Sequence, residues 1–357
     1  SDVCPSDLQQ KKSSGGHSAM AHLRNVQMAH GSGGRMMHDL IRIFFHAHLS
    51  SEQLQKGDDA ATLTMGSGRV AFTTDSYVVQ PIFFPGGDIG DLAINGTVND
   101  LCMSGARPLY LSVGFILEEG LAFEELERVL RSMAAAADKA GVRIVAGDTK
   151  VVDHGKADRL FINTAGIGVL EHDHEMGARC LQPGDQILLS GPVGQHGLAV
   201  LSQRQGLEFS GEIISDTAPL HELTAALLAE CGTAVHALRD PTRGGLAAVL
   251  NEWAEASDVE IRVAQDQIPV LPAVQSGCAL LGLDPLNLAN EGKMVAVVAP
   301  ERAERALQVL RSHPLGQKAA LIGEVKTGAT GLVSLRTELG AWRVLAWPSG
   351  ELLPRIC

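Results

Sequence analysis

The sequence predicts an α/β (α+β) protein of two domains, and three observations carry that reading. The chain has 357 residues, about twice the ordinary length of one domain. Runs rich in β-branched residues alternate with helical patterns along most of it. A polar stretch containing Gly and Pro, EHDHEMGARCLQPGD at 171–185, interrupts the alternation and marks the boundary. The predicted organisation is an extension at 1–25, an N-terminal domain at 26–170, a C-terminal domain at 171–347 and a tail at 348–357.

The first 19 residues lack the apolar core of a signal peptide and read as a flexible extension or an expression remnant. MAHGSGGRMMHDLIRIFFHAHL reads as a Gly-rich loop feeding an apolar helix. RVAFTTDSYVV is a strand by its β-branched content, and residues 88–105 form a helix. Leu126, Leu130, Met133, Ala137 and Ala140 recur at helical spacing and predict a helix over 122–140 with those residues inward. VRIVAGDTKVV reads as strand, turn, strand, and LFINTAGIGVL as a further strand. The second domain opens with QILLSGPVGQHGLAVLSQR. A helix after DPTRGG, the strand MVAVVAP, a helix at 301–311 and two or three short strands up to Trp347 follow. PSGELLPRIC carries two prolines and no periodic pattern, so a mobile tail is expected.

Composition removes several function classes. With 45% hydrophobic and 20% charged residues, wholesale disorder is excluded. A net charge of −12 without a basic block argues against nucleic-acid binding, which rests on phosphate neutralisation. No apolar stretch approaches the ~20 residues of a membrane span. Six scattered cysteines without a CxxC pair read as reduced thiols in a cytoplasm rather than a zinc knuckle. His172 and His174 lie in the predicted linker with no further ligand fixed by spacing and read as a solvated loop; Cys102 reads as a buried small residue.

Four short segments set carboxylates beside small residues: Gly57 to Ala61 with Asp58 and Asp59, Thr73 to Ser76 with Asp75, Asn99-Asp100, and Gly147 to Lys150 with Asp148. Asp75 and Asp148 fall at the ends of predicted strands. Oxygen ligands on such a rim suit Mg²⁺, which is usually shared with nucleotide phosphates. Asp91, Asn95 and Asn99 recur every four residues and form a polar stripe on the helix at 88–105. Turn chemistry and helix capping explain any single segment equally well; all four in one domain favour metal–phosphate binding. Three Gly-rich loops, at 30–34, 191–197 and 240–245, each precede a helix, where free N–H groups favour anions. None is a Walker A or GxGxxG motif. Arg243, a cation at a helix start, opposes the helix dipole and calls for a partner.

Together AHGSGG, GDDAA, TTDS, NGTVNDLCMSGARP, VAGDTKV, SGPVGQHG, RDPTRGGL, NEGKM and the closing PRIC closely resemble the HypE family of hydrogenase maturation factors. That family belongs to the superfamily of aminoimidazole ribonucleotide synthetase, selenophosphate synthetase and thiamine-phosphate kinase. The resemblance runs from about Val26 to Cys357. It implies two α/β domains of the aminoimidazole-ribonucleotide-synthetase-like fold and a homodimer that pairs the N-terminal sheets. ATP would lie in a dimer-facing cleft, with Asp58, Asp75, Asp100 and Asp148 as the metal-binding acids. Gly33, Gly34, Asp59, Asn95, Asn99, Thr149 and Arg243 are the candidates for the nucleotide. The implied activity is ATP-dependent dehydration of a carbamoyl group on the C-terminal cysteine to a thiocyanate, the source of the hydrogenase cyanide ligand. The carbamoyltransferase HypF would load the thiol, and the HypC–HypD complex would receive the cyanide.

The residues suit that chemistry. A thiol is the strongest nucleophile among ordinary side chains, and Cys357 sits on a tail whose ten residues span at most about 33–36 Å when extended. An amide oxygen is a poor leaving group until it is phosphorylated, a step that depends on positioning and charge stabilisation. Lys150 and Glu291 are the candidates for moving the nitrogen's protons, with a salt bridge and a surface turn as their respective structural alternatives. Two other readings stand beside this one: a superfamily kinase acting on a small acceptor, and a non-catalytic nucleotide-binding scaffold.

Overall fold

The computed structural model describes residues 30, 34–45, 54–66, 68–207, 209, 213–348 and 355–357. The extension expected at 1–25 and Gly33 lie outside the described residues. A short helix α1 (Arg35–Leu40) leads to strands β1 (Ala61–Met65) and β2 (Gly68–Tyr77), a two-residue hairpin β3 (Phe83–Phe84) and β4 (Gly87–Asp88), and helix α2 (Ile89–Met103). Strand β5 (Ala106–Glu118), helix α3 (Phe123–Ala140), and strands β6 (Arg143–Val152) and β7 (Leu160–Leu170) complete the first half.

The second half runs β8 (Gln186–Leu189), α4 (Gln195–Gln205), α5 (His221–Cys231), β9 (Val235–Arg239), α6 (Gly245–Ser257), β10 (Glu260–Ala264), α7 (Pro272–Leu281), β11 (Val295–Val298), α8 (Ala303–Ser312), β12 (Ala320–Lys326), β13 (Leu332–Arg336) and β14 (Trp342–Val344). Strands up to Leu170 form a five-stranded sheet in the order β1-β2-β7-β5-β6; those from Gln186 form a seven-stranded sheet in the order β14-β13-β10-β12-β8-β11-β9. No strand is shared between the two sheets.

Local chemistry explains the elements around the site. Asp88 caps α2: its carboxylate accepts from Gly90 N and Asp91 N while Asp91 Oδ1 accepts from Asp88 N, a reciprocal capping box. Helix α3 starts with Glu124 and Glu125 in its first turn and ends at Gly141 with φ 66°, the left-handed stop that glycine takes without cost. Its buried face carries Val129, Met133, Ala136, Ala137 and Ala140. Leu130, expected inward, is exposed, because the sheet covers a stripe one position away. VRIVAGDTKVV forms the single strand β6 with no turn in it, since Ala146 to Val152 stay in register with Ser112 to Glu118 of β5. The Gly147-Asp148 pair that looked like a turn is extended backbone, and Asp148 stands mid-strand.

One face of the five-stranded sheet is packed under α2 and α3. The other presents Phe72, Tyr110, Ile116, Val145 and Ile167 to solvent. Helix α2 is buried nearly all round, and the polar stripe predicted on it has a structural answer. Asn99, fully buried, donates from Nδ2 to the carbonyls of Ala218 and Glu291 at 3.1 Å each and accepts from Leu220 N at 2.8 Å. Asn95 donates to Thr217 Oγ1 at 3.2 Å. The stripe therefore ties the first domain to the second. An apolar cluster crosses the same seam, with Tyr77 and Leu92 from one side and Leu220, Leu223 and Leu238 from the other.

Replacing Asn99 by Ala strands a buried N–H and two carbonyls at that seam. The expected loss is about 3 kcal/mol of unfolding free energy, from the desolvation left uncompensated at these groups. Urea melts of the two proteins measure it.

Candidate active site

Three carboxylates meet where the domains join. Asp59 precedes β1, Asp100 lies in the last turn of α2, and Asp240 follows β9 of the other domain. Oxygens of all three lie within 4.8 Å of one another. Thr73 on β2 places its hydroxyl 2.9 Å from Asp100 Oδ2 and 3.0 Å from the Asp59 carbonyl. Arg239 pairs with Asp59 at 2.7 Å, and also with Glu252 at 3.1 Å. Asp240 is 3% exposed, and its Oδ2 is buried with no hydrogen-bond partner.

The electrostatics follow from that crowding. Burial, with the Asp240 and Asp75 charges added, holds the Asp100 carboxyl well above its usual range. Burial does the same to Asp59 although Arg239 opposes it, and lifts Asp240 to about 6. Arg239 and Arg243 only partly offset the three acids, and the donor set is oxygen-rich, the chemistry of a hard-cation site. The orphaned Asp240 oxygen fits a cation bound there.

Deeper in the cleft, Glu291 is 2% exposed, and its Oε1 is likewise buried without a partner. Burial and the charges of Asp240, Asp216 and Asp75 push its carboxyl well above the ordinary range, while Arg243 pulls it down. The surface-turn alternative for Glu291 therefore fails. Asp216 fixes the loop beneath it, accepting from Glu291 N and Gly292 N and pairing with Lys293 at 2.9 Å. A Cβ on Gly292 would lie 1.9 Å from the Asp216 carbonyl, so only glycine fits there.

The end of the chain occupies the same cleft. Val78 N donates to the Cys357 carbonyl at 3.0 Å, Gln80 N to the Arg355 carbonyl at 3.3 Å, and Arg355 Nε to the Val78 carbonyl at 3.0 Å. Arg355 also pairs with Asp158. It takes a left-handed backbone, φ 54°, which these contacts on both sides hold in place. Burial pushes the Cys357 thiol up to about 12; Arg243 lowers it, and Glu291, Asp75 and Asp240 raise it. The thiol is thus docked, neutral and within electrostatic reach of all four. Arg243, whose charge at a helix start called for a partner, lies beside Cys357 and within reach of the Asp75, Glu291 and Asp100 carboxyls. The tail was expected to be mobile, yet residues 355–357 are docked.

Several predicted residues sit elsewhere. Asp58 is exposed, its Oδ1 accepts from Ala178 N at 3.2 Å, and its neighbour Asp59 takes the place in the carboxylate cluster. Asp148, Thr149 and Lys150 lie on the exposed edge strand β6, where Lys150 bonds Asp148 at 2.6 Å, the salt-bridge alternative noted for it. Within one copy of the chain they do not join the cluster. Asn99 spends its amide on the domain seam and has none left for a nucleotide. Gly34 packs against Pro348, whose carbonyl a Cβ would meet at 2.3 Å, rather than against the acids. Asn95 keeps a buried Oδ1 without a partner. His172 is half-buried, its ring nitrogens facing the carbonyls of His174 and Ser104. It lines a cavity of about 430 Å³ with Lys56, Arg69, Arg179 and Asp58.

Sequence reasoning passed over Asp240 and Asp216. Asp240 had a signal: it opens the DPTRGG loop, which was read for its glycines and not for its first carboxylate. Asp216 had none, since its role depends on the fold of the 213–218 segment.

Two family models match the chain: AIR synthase related protein, N-terminal domain, over residues 57–170, and AIR synthase related protein, C-terminal domain, over 182–334. The carbamoyl dehydratase HypE of Bradyrhizobium diazoefficiens is 51% identical over 332 residues, covering 93% of this chain and 96% of that protein. Among solved structures, a HypE in complex with ATP is 51% identical, with a TM-score of 0.79 over 93% of this chain and all of that one. A HypE–HypF complex gives 47% identity and a TM-score of 0.83 over 87% of this chain and 99% of the other. The motifs, the two sheets and these likenesses agree: the chain belongs to the HypE family of AIR synthase related proteins.

Proposed function

We propose that this protein is an ATP-dependent carbamoyl dehydratase that works on a carbamoyl group carried by its own Cys357 and forms the thiocyanate used for the cyanide ligand of [NiFe]-hydrogenase. The observation that carries the reading is the docked terminal thiol, held in a cleft beside the Asp59, Asp100 and Asp240 carboxylates. The relatives named carbamoyl dehydratase, the ATP complex and the HypE–HypF complex support it. A small-molecule kinase would need the acceptor space that the tail fills.

The balance is simple. The S-carbamoyl oxygen accepts the γ-phosphoryl group of ATP, the nitrogen loses two protons, and phosphate leaves with that oxygen, so S–C(=O)NH₂ becomes S–C≡N. Mg²⁺ held by Asp59, Asp100 and Asp240, with Asp75 nearby, would neutralise phosphate charge. Lys56, Arg69 and Arg179 around the adjoining cavity suit the nucleotide phosphates. Arg243 opposes the rise in the Glu291 carboxyl and so favours its ionised form, and the unpartnered Oε1 is placed to take a proton from the carbamoyl nitrogen.

Asp148 and Lys150 enter this scheme only across a second copy. The outer face of the five-stranded sheet, apolar and uncovered, is the surface for a homodimer, and it carries both residues on its edge strand. HypF is the partner that loads the thiol, and HypC–HypD the complex that takes the product.

Three measurements test these assignments. The raised Asp240 carboxyl binds its proton more tightly folded than unfolded, so its contribution to stability is present at low pH and lost as pH rises through about 6. Asp240→Asn should therefore gain stability relative to the metal-free wild type between about pH 5 and about pH 8, and should lose Mg²⁺-ATP affinity by at least about tenfold; melts and calorimetry read both. Cys357→Ala should keep ATP binding and lose carbamoyl loading, whereas loaded wild type should lose the mass of one water from its C-terminal peptide on adding ATP. Val145→Asp, on the outer sheet face, should turn a dimer into a folded monomer by sedimentation and abolish ATP turnover.

A further inference from the structure

His196 is fully buried at the start of α4, and every polar atom of its ring is engaged. Nε2 lies 2.8 Å from the carbonyl of Ile356, the residue before the terminal cysteine. Nδ1 lies 2.8 Å from Ser215 Oγ, which itself accepts from Thr217 N at 3.2 Å. That last bond leaves the serine hydroxyl proton free to point at Nδ1, so the network assigns a neutral ring with its hydrogen on Nε2, donating to the tail. Burial favours the neutral ring. Phe84 of the first domain packs edge-on against the imidazole, with centroids 5.4 Å apart at 86°. The ring is thus fixed by Ser215 on one side and Phe84 on another, and its one remaining donor meets the chain end.

We propose that His196 is a positioning residue for the reacting thiol: its Nε2–H grips the Ile356 carbonyl and thereby sets where Cys357 lies in the cleft. The other tail contacts come from Val78 and Gln80 backbone and from Arg204, whose guanidinium reaches the Arg355 carbonyl at 2.6 Å. These hold residues 355 and 357, and His196 supplies a side-chain bond at 356, with Ile356 seated in the apolar cluster beneath. Gripping a backbone carbonyl rather than the sulfur leaves the thiol unencumbered, so a carbamoyl group on Sγ changes nothing at the grip. The chain Ser215–His196–Ile356 ties the tail to the second domain, and Phe84 against the ring adds a contact from the first.

This inference rests on the dehydratase reading for its catalytic consequence, but not for its structural one, and the experiment separates them. His196→Leu removes the donor, and His196→Gln keeps an amide donor near the Nε2 position. In the unmodified protein, iodoacetamide labelling of Cys357, read by mass spectrometry of the C-terminal peptide, should speed up about tenfold in His196→Leu, the worth of one buried hydrogen bond. It should stay near the wild-type rate in His196→Gln. ATP affinity should be unchanged in both. In loaded protein, single-turnover water loss should slow at least about tenfold in His196→Leu and recover in His196→Gln, since a thiol misplaced by an ångström forfeits its orientation. Ser215→Ala, which frees the ring without touching the tail, should raise labelling by a smaller factor and serves if His196→Leu does not fold. Unchanged Cys357 labelling in folded His196→Leu or, failing that, in Ser215→Ala overturns the proposal. So does a parallel loss of ATP affinity and stability that His196→Gln fails to restore. Absence of water loss in loaded wild type, with labelling as expected, would instead sink the dehydratase reading and leave the grip standing.

Discussion

Everything at this site depends on holding like charges together. Asp59 and Asp100 belong to one domain and Asp240 to the other, and their oxygens converge within 4.8 Å inside the protein. Burial raises the cost of each charge, and proximity raises it again. Nothing in the cluster itself would keep the domains closed over it. The closing force lies around it, in the shared apolar cluster under Tyr77, Leu92 and Leu220 and in the fully satisfied amide of Asn99. Arg239, paired with Asp59, and Arg243 supply positive charge beside the cluster. The result is a cluster of carboxylate oxygens held in place by the structure around it, the donor chemistry that suits a hard cation.

The same constraint accounts for the chain end. A neutral thiol is the form of Cys357 that tolerates a cleft lined by Asp75, Asp240 and Glu291. A carbamoylated sulfur is neutral as well, so loading the thiol leaves that electrostatic fit intact. Arg243 faces the sulfur and stabilises negative charge as it develops near it. Backbone bonds at 355–357, Ile356 in the apolar cluster and the Arg355–Asp158 pair dock the tail without using the sulfur.

Outside the cleft, the exposed face of the five-stranded sheet carries Phe72, Tyr110, Ile116 and Val145. A patch of this kind on a sheet face is a surface for another protein. Asp148 and Lys150, paired on the edge strand of that sheet, would join the proposed chemistry only from a second copy.

The sequence by itself determined the two α/β halves and the helices read over 88–105 and 122–140, and it put a break within 171–185, because hydrophobic period and end signals are local. It also determined the family, through short motifs whose residue types are fixed by chemistry, and the presence of an acid-rich site. It placed Asp59, Asp75, Asp100, Arg243, Glu291 and Cys357 among the candidate residues, and the fold brings all six to one cleft. Only the tertiary structure decided which of two adjacent aspartates enters the cluster, since Asp58 and Asp59 differ in direction and not in type. Only it showed that Asn99 is spent on a seam, that Gly147-Asp148 is extended rather than turned, and that Asp240 completes the acids from 140 residues beyond Asp100. His196 was visible as a letter in a Gly-rich loop; its bond to Ile356 joins residues 160 apart. Such contacts depend on how the two sheets meet, and no pattern in the linear chain records that.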